Sequence, residues 1–236
     1  MKHIDEFVDE RQQAWCIHCG GWIAELDTNR DHVPTKTLLH KPFPENLPVV
    51  KVCKDCNEGF SLDEQYLVAF LGSVLSGTTD PSAQSNPAAS RILRTNESLR
   101  ARIEQSKTTY RTISGETRHV WKPEQMRIDR VLLKNARGHA FFENGEPMLS
   151  EPDIVWSRPL ETLTAEGRDA FEDPGDSGFW PEVGSRMMTR IMTGHDLSGG
   201  WVIVQEGVYR YSVTQDPGIR VRMVLSEYLA AEVCWD

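Results

Sequence analysis

Cys16-Ile17-His18-Cys19, Arg30-Asp31-His32-Val33-Pro34 and Cys53-Lys54-Asp55-Cys56-Asn57 fall within residues 16–57, and the rest of the chain reads outward from them. Two thiol pairs at two-residue spacing suit one tetrahedral zinc, because each pair can set both sulfurs on the same side of a tight turn. Cys16, Cys19, Cys53 and Cys56 fill all four positions, so the metal they imply is structural. So short a stretch, poor in apolar side chains, cannot hold a fixed loop by burial, whereas metal binding contributes directly to folding. A redox dithiol would use one pair and leave the other unexplained.

The remaining polar residues of the stretch carry the chemistry. Asp31 offers a hard oxygen to magnesium or a similar cation, and Asn57, one residue past a thiol, offers an amide oxygen. His32 points the other way along its strand, where a neutral imidazole can take a proton from water attacking phosphorus. A divalent cation would stabilise charge on the phosphate and on the departing oxygen. The plainer readings are a loop histidine capped by Asp31, a helix-cap role for Asn57 and an exposed lysine at Lys36 in place of a phosphate contact.

The totals set the limits. A chain of 236 residues is long enough for one large domain or two small ones. No apolar run approaches the roughly 18 residues of a membrane span, and residues 1–11 are acidic and polar where a signal peptide is basic and then apolar. The expectation is a cytoplasmic protein with no membrane partner. Four of the five cysteines lie in the two pairs, and Cys234 reads as a buried small hydrophobe. The net charge of −9 argues against a nucleic-acid partner. The sum hides an asymmetry: residues 1–90 carry 7 Lys/Arg against 13 Asp/Glu, residues 91–137 carry 12 against 5, and residues 138–236 carry 7 against 17. A basic segment directly after the metal motif is the footprint a phosphate backbone calls for, unless it is only a solvated face.

Along the chain, Gly20-Gly21 marks a tight turn and Trp22-Ile23 a return strand, so residues 14–48 read as a β-hairpin with an elaborated loop. Leu62, Tyr66, Phe70 and Val74 predict a helix over 61–76, with Ser61 and Glu64 as its capping box. Residues 77–90 read as an unstructured linker and 91–107 as one basic helix. A β-prone segment follows over 110–121 with a turn at Ser114-Gly115, and then a helix from Pro123 that closes at Gly138. Asn144-Gly145 predicts a hairpin turn. Residues 201–204, 208–213 and 219–225 predict three antiparallel strands, the last turn being Asp216-Pro217-Gly218. Asp63 and Glu64 read as helix N-terminal charges. His18, His40, His119, His139 and His195 have no partner visible in sequence.

Asp-His-Val-Pro between two Cys-x-x-Cys pairs, with Asn after the last Cys, resembles the HNH superfamily of ββα-metal nucleases, most closely its phage endonuclease VII type. The resemblance covers residues 14–66. It implies zinc on Cys16, Cys19, Cys53 and Cys56, a catalytic Mg²⁺ or Mn²⁺ on Asp31 and Asn57, and His32 as general base. Many members carry His where Asn57 stands and a middle Asn, for which Asn46 is the candidate. The expected fold is α+β: a zinc-stabilised ββα-metal motif followed by helices and a C-terminal antiparallel sheet. The expected domains are 14–76, the nuclease unit, and 91–236, an α+β domain of unassigned role with its basic helical segment at 91–137. The expected activity is hydrolysis of nucleic-acid phosphodiesters, DNA foremost, and a homodimer is a natural way to cut both strands. The alternative is a non-catalytic zinc module that binds nucleic acid or protein.

Overall fold

The computed structural model describes residues 2–5, 12–174, 185–194, 196–215 and 218–236. Residues 6–11, His195 and the Asp216-Pro217 part of the last expected turn lie outside them, and of Asn46 the backbone alone is described. In chain order the elements are β1 (Lys2–Asp5), β2 (Thr28–His32), β3 (Asn46–Cys53), α1 (Lys54–Ser76), α2 (Pro87–Thr95), α3 (Glu97–Gln105), β4 (Lys107–Arg111), β5 (Thr117–Trp121) and α4 (Gln125–Asn144). After these come β6 (Ile154–Pro159), α5 (Ala165–Glu172), α6 (Arg186–Thr193), β7 (Leu197–Ser198), β8 (Trp201–Gln205), β9 (Tyr209–Gln215), β10 (Ile219–Leu225) and β11 (Leu229–Trp235). The fold is α+β.

The chain divides into two compact units, one built from residues 1–59 with 132–236 and the other from 60–131. In the first, β2 and β3 form an antiparallel hairpin in which Asp31 faces Val50 and His32 faces Val49, and β1 adds to β3 in parallel. The second sheet has six strands in the order β6-β11-β10-β9-β8-β7. Its three expected strands are present, and β11 joins them: every residue of Leu229–Trp235 is buried, Cys234 included. The hairpin core gathers Ile17, Ile23, Val33, Val50 and Val52 with Phe141 of α4. A second core under the large sheet joins Leu160, Phe171, Trp201, Val224 and Ala230.

Several local expectations are corrected. Helix α1 starts at Lys54, directly after β3, where the Lys54 amide donates to Asp27 O at 2.7 Å. Ser61 and Glu64 therefore lie inside the helix and cap nothing. Asp63 is buried and holds Arg127 and Arg130, so it is an ion-pair partner in place of a helix-end charge. Residues 77–90 contain a turn of 3-10 helix at Pro81–Ala83, capped by Asp80, and the start of α2. The expected single basic helix is two, because the Asn96 side chain accepts the Leu99 amide and restarts the chain as α3.

Helix α4 does not stop at Gly138. An added Cβ there would lie 2.7 Å from Val33 Cγ2, so the residue is glycine for close approach of the helix to the strand end, and not for termination. The helix ends six residues later, where Gly145 takes φ +85° and its amide bonds Phe141 O at 2.9 Å. Asn144-Gly145 is thus a helix C-terminus and the expected hairpin is absent from those residues.

Candidate metal centre and its surroundings

The first thiol pair sits on a turn closed by two backbone bonds, Cys16 N–H to Gly21 O and Gly20 N–H to Cys16 O, each 2.8 Å. Gly20 takes φ +68°, a conformation that a side chain would strain. Trp15 and Trp22 bridge across the base of this turn with their rings edge to face. The second pair lies at the junction of β3 and α1, so Cys53 ends the strand and Cys56 falls in the first helical turn.

The four Sγ atoms lie within 4.8 Å of one another. Cys19 Sγ and Cys53 Sγ are 3.8 Å apart, which matches the edge of about 3.8 Å that a sulfur tetrahedron has at the usual Zn–S length. Backbone amides point at the sulfurs: Cys53 N–H to Cys16 Sγ and Cys56 N–H to Cys53 Sγ, both 3.4 Å. Burial pushes the Cys56 thiol upward, and so do its bond to Cys53 and the charge on Cys16. Four thiols this close cannot all ionise without a cation among them, so the donor set fits a metal ion such as zinc.

Asp31 lies on the inward face of β2 and is 7% exposed. Its Oδ1 accepts from Lys134 Nζ at 2.9 Å, and its Oδ2 faces His18 Nε2 at 3.7 Å. Burial alone would raise its pKa. The polar contact with His18 and the charge and hydrogen bond of Lys134 outweigh that and hold the carboxyl below its ordinary range. For His18, burial outweighs the pull of Asp31 and lowers the imidazole pKa.

Helix α4 supplies most of this surround. Lys134 Nζ also reaches Thr35 Oγ1 at 3.3 Å, Asn135 Oδ1 accepts the Thr35 amide at 2.9 Å, and Arg137 donates to His18 O and Ser150 O, each at 3.0 Å. Lys134 and Arg137 are buried. They are therefore struck from the phosphate-facing surface expected over 91–137, as is Arg127, which is tied to Asp63; Arg130 also pairs with Asp63, but its side chain is 56% exposed. Nothing local in the sequence separates Lys134, Arg137 and Arg127 from exposed cations. A faint signal is that Lys134 shares a helix side, at i+4 and i+7 spacing, with Gly138 and Phe141.

Strand alternation directs His32 to the face of β2 opposite Asp31, as expected, and His32 is half-buried at the strand end. Past it, the loop carries Lys36, with its ammonium 5.9 Å from the Phe43 ring centre, as is that of Lys41. From β8, Gln205 clamps the same loop: its side chain accepts the His40 amide at 2.8 Å and donates to His40 O at 2.9 Å.

Asn57 stands in the first turn of α1, and its amide donates to Asn29 Oδ1 at 2.9 Å. Asn29 and Asp31 share one side of β2 but sit two residues apart, roughly 7 Å along the strand. Both expected cation ligands are thus engaged within the fold, Asp31 by Lys134 and Asn57 by Asn29. Among the described residues, the only cluster of three or more His, Cys, Asp or Glu ligands is the four-thiol one.

No helix among the described residues is long and apolar enough to cross a membrane. Comparison with protein families, with curated proteins and with solved structures returns no match to this chain.

Proposed function

We propose that this chain is a zinc-framed nuclease of HNH type that hydrolyses phosphodiester bonds in nucleic acid, with DNA as the substrate and His32 as general base. The observation that carries the reading is the junction itself. A four-thiol centre fixes the β2–β3 hairpin to the first turn of α1, and the strand so fixed ends at His32. A half-buried imidazole at a rigid strand end can accept a proton from water as phosphorus is attacked, through Nδ1, since Nε2 is buried. Arg30, two residues before it, and Lys36, four residues on, are the cations nearest in sequence for the phosphate. Asp31 and Asn57 are engaged with Lys134 and Asn29, so no step is assigned to a second cation.

The test is purified chain with duplex DNA, with and without added magnesium or manganese, beside His32→Ala. Loss of a general base lowers the rate by about 10²–10⁴, with zinc content and melting temperature unchanged. Cleavage that survives intact in His32→Ala would sink the proposal.

A second reading, a zinc module that binds without cutting, is favoured by the buried Asp31–Lys134 pair, which uses the expected cation ligand to hold the fold. It is chosen if neither metal yields cleavage while duplex DNA or a protein partner is bound.

A further inference from the structure

The unit formed by residues 60–131 contains a two-stranded ribbon that belongs to neither larger sheet. Strands β4 and β5 pair only with each other, from Lys107↔Trp121 to Arg111↔Thr117. An isolated two-stranded ribbon is marginal in water, yet no described side chain of residues 107–122 is buried. Tyr110 and Val120 are about half exposed on one face, and Ile113 at the tip is 110% exposed. The base, by contrast, is anchored. Lys107 Nζ donates to Gly77 O at 2.8 Å and lies 5.0 Å from the Trp121 ring centre, and the Lys122 amide donates to Ser106 O at 3.0 Å. The tip is also set, by Thr112 N–H to Glu116 O and Gly115 N–H to Thr112 O, both 2.9 Å.

The charge on this ribbon is one-sided. Lys107, Arg111, Arg118 and Lys122 stand against Glu116 alone. Residues 60–131 carry 10 Lys/Arg against 8 Asp/Glu, whereas the rest of the chain carries 16 against 27. The unit of this acidic protein with a net positive charge thus presents a preformed arm on which Tyr110, Ile113 and Val120 are exposed.

We propose that the β4–β5 ribbon is a duplex-DNA grip that enters the major groove. That groove admits a two-stranded ribbon, its phosphate walls match Arg111 and Lys122, and exposed apolar side chains such as Ile113 can meet thymine methyl groups. The choice of DNA as occupant rests on the nuclease reading above; the choice of a duplex rests on the ribbon's dimensions and charge.

The test uses the full chain carrying His32→Ala, so that a labelled duplex stays intact, and measures anisotropy between about 50 and 200 mM salt. Arg111→Ala with Lys122→Ala is expected to weaken binding at least tenfold and to flatten the log–log salt slope by about 1.8, the value for two lost phosphate contacts. Ile113→Ser should weaken binding with the slope unchanged, and neither variant should move the melting temperature. Unaltered affinity and slope would overturn the proposal, and so would equally tight, ribbon-dependent binding of single-stranded DNA of the same length. The two readings fail separately. His32-dependent cleavage that ignores the ribbon variants removes the grip and keeps the nuclease, whereas ribbon-dependent duplex binding without cleavage by the unsubstituted chain does the reverse.

Discussion

Lys134 Nζ donates to Asp31 Oδ1 across 2.9 Å, between two buried side chains that are 103 residues apart in sequence. Removing one partner leaves the other charge buried and uncompensated. Lys134→Met should therefore destabilise the chain by about 3–5 kcal/mol in urea unfolding, and adding Asp31→Asn should recover much of the loss. If the double variant is no more stable than the single one, the pair is not what holds the hairpin to α4.

The thiol centre should hold one zinc per chain. Stripping it with a chelator, or substituting Cys53→Ser, is expected to remove the metal and the hydrogen-exchange protection of β2 and β3 together. Protection in β9–β11 should persist, because their core contains no thiol of the centre. Metal analysis and exchange mass spectrometry read both effects.

Gly138→Ala places a methyl group 2.7 Å from Val33 Cγ2, against a branched side chain that is itself buried. Overpacking of this kind costs about 1–3 kcal/mol, partly offset by alanine's helix propensity of about 1 kcal/mol. The displaced residue adjoins His32, so cleavage should fall further than stability does. Val33→Ala in the same chain should restore both.

His139 is fully buried, with Nε2 bonded to Tyr209 Oη at 2.9 Å and its ring stacked 3.7 Å from that of Tyr211. Burial, helped by the Arg190 charge, pushes its pKa from 6.5 down to about 3. The folded state therefore holds this imidazole neutral where the unfolded chain protonates it. Its contribution is complete above pH 6.5 and is lost as pH falls toward 3. At about 1.4 kcal/mol per pH unit, roughly 2 kcal/mol goes between pH 6.5 and pH 5. His139→Gln should flatten that slope in denaturation measured across the same range.

What could be read from sequence follows how local the cause is. The thiol pairs and strands β8–β10 have short-range signatures, in spacing, turn residues and alternation, and are found where expected. The return strand expected at Trp22-Ile23 is instead a single bridge at Trp22 and a 3-10 turn at Ile23–Glu25, and the hairpin is made by β2 and β3. Gly138 and Asn144-Gly145 were misread because glycine serves both close packing and chain reversal, and only the neighbour across the gap, Val33, decides between them. The surround of Asp31 could not be read at all. Lys134, Asn135 and Arg137 look like exposed polar residues until α4 is laid against the hairpin. The same long-range pairing gives Asp31 an ammonium partner that no local signal announces.

The hairpin's parts also arrive at different times during synthesis. The thiols and β2 leave the ribosome early, while Lys134 follows Asp31 by 103 residues and Gln205 follows His40 by 165. At about 5–20 residues per second, Asp31 waits roughly 5–20 s for its counter-charge. During that interval the hairpin has its own ladder, a small apolar cluster and, once Cys56 has emerged, a complete set of four thiols that a metal ion can draw together.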